Sequence, residues 1–134
     1  MCDLDSFKRC NDTYGHGAGD EALRRAAAAM KISIRSAKRA YRYGGEEFAI
    51  VLSDLDVPGS RRLAERVRHH VESLEFEMEG QDVTYGATMS CGVASFPDSS
   101  GLATDWRSLI QIADQALYAA KRAGRNCVMS PADS

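Results

Sequence analysis

The stretch from Arg42 to Leu52, "RYGGEEFAIVL", sets two glycines and two adjacent glutamates directly before an apolar run. No other segment restricts the fold as much. A surface turn has no need of an acidic doublet, and a core strand does not carry one at its mouth unless the charge has a use. Phe48 to Leu52 has the length and apolarity of a buried strand. The stretch therefore predicts a strand whose entrance is acidic and whose preceding turn draws on the freedom of glycine.

The rest of the 134 residues supplies partners for that strand and is long enough for one domain with its own core. From Ala22 to about Arg35, Leu23, Ala27, Met30 and Ile34 recur at three and four, an amphipathic helix. Glu47 to Ser53 reads as the strand. "DVPGS" breaks the chain, and Ser60 is placed to cap a second helix bearing Leu63, Val67, Val71 and Leu74. "EMEGQDVTY" predicts a hairpin turning near Gly80. In "ATMSCGVAS", Ala87, Met89, Cys91 and Val93 alternate with smaller or polar residues, the period of a strand with one buried face. A last helix opens near Thr104 and Asp105, buries Trp106, Leu109, Ile110, Ala113 and Leu117, and stops at Gly124. "MCDLDSF" reads as the end of a strand that runs into a loop and a helix. The order β-α-β-α-β-β-α is that of an α+β sheet with helices mainly on one face. Because a strand usually takes about five or six residues, the first strand is expected to begin before Met1. Residues 128–134 read as a tail.

Seventeen Lys and Arg against nineteen Asp and Glu give a formal charge of −2. That balance points to neither nucleic acid nor a membrane surface as a partner. The basic residues are uneven, gathering in "RSAKRAYR" and "KRAGR". Cys2, Cys10, Cys91 and Cys127 form no CxxC pair, which suits free thiols in a reducing compartment. With no signal peptide and no membrane-length apolar run, the expected location is cytoplasmic.

Asp3 and Asp5 stand two apart and share a strand face. Alone, such a pair is commonly a loop cap. With Glu46 opening a second strand, Asp3 could converge on a hard cation such as magnesium, which takes one or two carboxylates plus phosphate oxygens. A helix starting after Asp5 would offer free N–H groups to an anion, with Lys8 nearby; alone, Lys8 reads as an exposed helix lysine. Asn11 and Asp20 flank "TYGHGAG". Together an amide and a carboxylate match a guanine edge, and separately they read as a turn residue and a helix cap. Lys121 and Arg125 share a helix face, suited either to terminal phosphates or to the helix dipole.

The segments "DLDSFKRCNDTYGHGAGDEAL", "RYGGEEF", "ATMSCGVASFP" and "ADQALYAAKRAGRN" resemble, in order, the signatures of the GGDEF domain, the diguanylate cyclase family. The resemblance runs from Asp3 to Asn126. It implies a palm-like fold related to adenylyl cyclases and polymerases, and condensation of two GTP into cyclic di-GMP with release of two pyrophosphates. Carried onto this chain, Asp3, Glu46 and the Leu4 carbonyl would hold magnesium or manganese. Glu46 and Glu47 would be the catalytic acids, Glu47 supporting a second metal or the local geometry. Asn11 and Asp20 would read guanine, and Lys8, Lys121 and Arg125 would hold the β- and γ-phosphates. Gly44 and Gly45 would form the turn beside ribose and α-phosphate, with Phe7 beneath the phosphate loop. The resemblance further implies a homodimer, an upstream sensor outside this chain, and no direct membrane contact. Many relatives carry an Arg-x-x-Asp product-binding pair. Here Arg35 is followed by Lys38 in place of the Asp, so weak product inhibition is expected. The alternative is a catalytically silent GTP-binding module, which usually lacks the acidic residues that this chain retains.

Overall fold

A short strand, β1 (Cys2–Leu4), lies at the centre of a five-stranded sheet and sets the frame for everything else. The computed structural model describes residues 1–34, 39–53, 55–78, 80, 82–97, 101 and 103–133. Helices α1 (Phe7–Tyr14) and α2 (His16–Ile34) follow β1, and then the hairpin of β2 (Ala40–Arg42) and β3 (Glu47–Ile50). Next come α3 (Val57–Glu72), the small hairpin β4 (Glu75–Glu77) and β5 (Thr84–Gly86), β6 (Met89–Gly92), α4 (Trp106–Arg122) and β7 (Val128–Met129). The sheet order is β2-β3-β1-β6-β7. β1 runs antiparallel to β3 and β6, while β7 runs parallel to β6.

Alternation along the strands divides the side chains between two faces. Cys2, Leu4, Phe48, Met89 and Cys91 point into one core with Leu23, Ala26, Ala29 and Met30 of α2 and Ala64, Val67 and Val71 of α3. The small alanines let α2 and α3 approach the sheet and each other closely. The other face is covered by α4, whose backbone lies so near Gly92 that a Cβ there would stand 2.1 Å from the Ala113 carbonyl oxygen. α4 starts from a capping box: Asp105 accepts from the Ser108 N–H and the Ser108 side chain accepts from the Asp105 N–H.

The structure is the α+β palm-like fold expected, with several local differences. Helices occupy both faces rather than mainly one, and the sheet is mixed because Val128–Met129 is an edge strand rather than part of a tail. α2 begins at His16, six residues before Ala22, so most of "TYGHGAG" is helical around Gly15 at φ 88°. The cap of α3 is Asp56, which accepts from the Gly59 N–H, and Ser60 is buried within the helix. Trp106 was expected in the core, yet it is 62% exposed with the Arg107 guanidinium over its ring. Burial along α4 begins only at Ile112. The Gly80 hairpin and the stop at Gly124, with φ of 77° and 116°, fall where the sequence placed them.

Gly92→Ala tests the docking of α4. The added methyl meets backbone rather than a movable side chain, so the cost is about 1–3 kcal/mol or more. Thermal denaturation should show the melting temperature falling by roughly 5 °C or more; an unchanged value would contradict the close approach.

Candidate functional site

Register brings the acids together. Leu4 N–H donates to the Glu46 carbonyl at 3.2 Å, so Asp3 and Glu47 form the neighbouring non-hydrogen-bonded pair. In such a pair Cα atoms approach to about 4.5 Å and the side chains leave the same face. Asp3 is 5% exposed, and Glu46 and Glu47 are half-buried. The Lys121 ammonium of α4 sits 2.8 Å from Asp3 Oδ2. Burial pushes the Asp3 carboxyl above its ordinary value, Lys121 pulls it back, and repulsion from Glu46 and Glu47 adds to the rise. Two carboxylates of the glycine turn thus act on Asp3 across the ends of two central strands.

The glycine pair has a geometric use. A Cβ on Gly44 would stand 2.7 Å from Glu47 Oε2, so the Glu47 carboxylate lies where a side chain on residue 44 would be. The turn is closed by Tyr43 and Gly44 N–H groups donating to the Glu47 carbonyl. It is pinned from outside by Arg42, whose Nε and Nη2 donate to the Gly45 carbonyl at 3.0 and 2.7 Å. Arg42 escaped the sequence reading because it looked like one more member of a basic cluster.

Asn11 and Asp20 lie on different helices. Asn11 Oδ1 is buried without a hydrogen-bond partner, an unusual state for a side-chain oxygen. It rests against Gly19, where a Cβ would come within 1.9 Å of it. The Phe7 ring closes the other side, 3.1 Å from that same position, and packs against the main core. Asp20 is exposed and lines a cleft of about 480 Å³ with Leu23, Met30, Phe48, Arg24 and Arg42. The elbow between α1 and α2 is clamped by the β4–β5 hairpin. Tyr85 stacks on Tyr14 at 4.7 Å and on Phe76 at 5.0 Å, and its hydroxyl donates to the Ala18 carbonyl.

The remaining candidates are less gathered. Lys8 is turned to solvent, its side chain 89% exposed and paired with Asp12 at 2.7 Å. α1 nonetheless begins with unfilled backbone donors, since Ser6 at its N-cap makes no side-chain bond. Arg125 is exposed with φ 67°, just past the helix that carries Lys121. Asp5 shares the face of Asp3 but is spent on neighbours, accepting from the Thr88 and Ser90 hydroxyls and the Asn126 N–H. Arg35 and Lys38 lie outside the described residues.

The donor set is wholly oxygen, which suits magnesium or manganese and not a thiolate-seeking metal. Among the described residues no three His, Cys, Asp or Glu side chains form a ready cage. Two carboxylates and a carbonyl, if they held such an ion, would leave positions for phosphate oxygens, as magnesium commonly requires. Among the described residues, no helix is long and apolar enough to cross a membrane.

Known proteins agree with this architecture. The family model "Diguanylate cyclase, GGDEF domain" matches residues 1–127, and the chain belongs to that family. It is 44% identical over 129 residues to diguanylate cyclase DosC of Escherichia coli (strain K12), covering 96% of this chain and 27% of that protein. It is 36% identical over 132 residues to the response regulator PleD of Caulobacter vibrioides, covering 98% of this chain and 28% of that one. The chain thus spans just over a quarter of the length of these curated relatives. Among solved structures, the active GGEEF domain of a diguanylate cyclase from Vibrio cholerae superposes with a TM-score of 0.81 at 34% identity, over 96% of this chain and 78% of that one. The GGDEF domain of DgcB from Caulobacter crescentus, solved in complex with c-di-GMP, gives 0.82 at 36%, over 99% and 75%.

Gly19→Ala isolates the contact beneath Asn11. The methyl must displace the Asn11 amide, so the side-chain NH₂ resonances of Asn11 should move in an NMR spectrum while the bulk of the spectrum stays folded. Unmoved Asn11 signals would contradict the contact.

Proposed function

We propose that this chain joins two GTP molecules into cyclic di-GMP, releasing two pyrophosphates, with two copies of the domain facing each other. The observation that carries this reading is the buried Asp3 carboxylate, opposite Glu47 and in the field of Glu46, answered on the open side by Lys121 of α4. An excess of buried negative charge at the end of two strands is costly unless a cation uses it.

Asp3, Glu46 and the Leu4 carbonyl would hold magnesium or manganese. Such an ion supplies charge neutralisation at the α-phosphate and lowers the pKa of the attacking hydroxyl. Glu46, half-buried beside Asp3, accepts the proton of the 3′-hydroxyl directly or through a water that it orients. Glu47, lodged against Gly44, keeps the acidic turn in shape and stands ready for a second cation. The Gly44–Gly45 turn, pinned by Arg42, lets ribose and α-phosphate approach the backbone.

Asp20 accepts from the guanine N1–H and exocyclic amine, and Asn11 holds the same edge from α1. Phe7 supports Asn11 from below. The open N-terminal amides of α1 face the phosphates, and Lys8 leaves Asp12 to join them. That pair lies in solvent, where an ion pair holds its partners weakly, so the exchange is easy. Lys121 and Arg125 take the terminal phosphates. One chain offers one such arrangement, so attack of each 3′-hydroxyl on the other nucleotide needs a second chain, and dimerisation supplies the proximity. Lys38 in place of a carboxylate cannot accept from a guanine edge, which makes product feedback at Arg35 weak. A sensor segment beyond this chain would govern the encounter.

The test is incubation of the protein with GTP and magnesium, followed by chromatography for cyclic di-GMP. Glu46→Gln should lower product formation by about 10² or more, with the melting temperature retained. GTP binding without product from the parent chain would instead support the silent binding module.

A further inference from the structure

We propose that Asp5 is a positioning residue for the phosphate clamp: it locks the loop after α4 in the conformation that presents Arg125. The proposal rests on the reading that Arg125 meets the terminal phosphates.

Asp5 has the spacing of a metal ligand but not the freedom of one. Its Oδ1 accepts from the Ser90 hydroxyl at 2.6 Å, and its Oδ2 from the Thr88 hydroxyl at 2.8 Å and the Asn126 N–H at 3.0 Å. Two of these donors come from β6 and its lead-in, which fix the carboxylate on the sheet. The third lies 121 positions further along the chain.

That third bond holds an unfavourable backbone. Arg125 and Asn126 are consecutive residues with φ of 67° and 47°, in the left-handed region that side chains other than Asn and Asp avoid. Such a conformation persists only where the surroundings over-determine it. Here they do. The Asn126 side chain accepts from Arg68 Nη1 at 2.8 Å and donates to Glu72 Oε1 at 2.6 Å. Arg68 is 9% exposed and is itself held by Glu65 and Glu72. The Arg125 N–H donates to the Ala120 carbonyl. The loop is therefore seized from the sheet by Asp5 and from α3 by Arg68 and Glu72. Between Asn126 and the end of α4 lie Ala123, Gly124 and Arg125, and Arg125, next to the anchors, stays exposed.

Loss of the Asp5 acceptor frees the backbone of 125 and 126 to relax to negative φ, and the Arg125 guanidinium then leaves its place. A simple structural tie between β1 and β7 would weaken every ligand alike. A positioning role weakens only ligands that reach Arg125.

The experiment is calorimetric binding of GTP and of guanosine monophosphate, which lacks the β- and γ-phosphates, to the folded full chain and its variants. Asp5→Asn should weaken GTP about tenfold, leave the monophosphate unchanged, and cost nothing further in an Arg125→Ala background. Asn126→Ala, which disturbs the same loop from the α3 side, should repeat that pattern if Asp5→Asn folds poorly. Equal weakening of both nucleotides, or a full extra loss on top of Arg125→Ala, overturns the positioning role alone. GTP binding to Arg125→Ala at the parental affinity overturns the clamp reading and this proposal with it.

Discussion

The ion pair between Lys121 and Asp3 is the contact on which the site depends, because it joins the end of α4 to the middle of the sheet. Asp3 lies between two antiparallel neighbours and faces a second carboxylate at its own level on β3. A carboxylate so enclosed costs several kcal/mol unless a cation and hydrogen bonds answer it. Lys121 can reach it only if α4 settles closely on β6, and that closeness comes from Gly92. The capping box at Asp105 starts the helix at one end. The left-handed residues after Gly124 turn the chain into β7 at the other. Fold and site are thus coupled through one lysine whose side chain is 32% exposed.

This arrangement gives a physical account of how a site can be ready without collapsing. Burial raises the Asp3 carboxyl, and repulsion from Glu46 and Glu47 raises it further. In the protein alone the lysine ammonium balances part of that charge. On the proposed function, a divalent cation would compete for the same carboxylate, and the phosphates of a nucleotide would offer the displaced lysine a new partner. Each exchange would replace one ionic contact with another, so none would leave a buried charge alone.

Much of this was readable from residue order. The acidic doublet before an apolar run, the glycine turn at Gly80 and the stop at Gly124 depend on local chemistry, and local chemistry is visible in a sequence. What was not visible depends on distance in space. A stripe of three and four marks the inward face of α4 but not how far the four-residue strand β6 extends beneath it, which is why Trp106 was placed in the core. Val128 and Met129 are too few to announce a strand, and only the open edge of β6 makes them one. Ser60 follows a Pro and a Gly and looks like a cap, but Asp56 reaches the free amide first. Asp5 carries the spacing of a ligand, while its partners Thr88, Ser90 and Asn126 lie more than eighty positions away. Gly19 reads in "TYGHGAG" as one of three glycines suited to close approach, and the group that approaches it is the Asn11 amide.

The central claim is that Lys121 and a divalent cation compete for Asp3. It is tested most directly by titrating the nucleotide-free protein with manganese and following the bound ion by electron paramagnetic resonance, for the parent and for Lys121→Met. Removal of the competing ammonium should tighten manganese binding, about tenfold for one ionic contact of roughly 1.4 kcal/mol, while GTP binding weakens. Manganese binding that is unchanged or weaker in Lys121→Met would contradict the account.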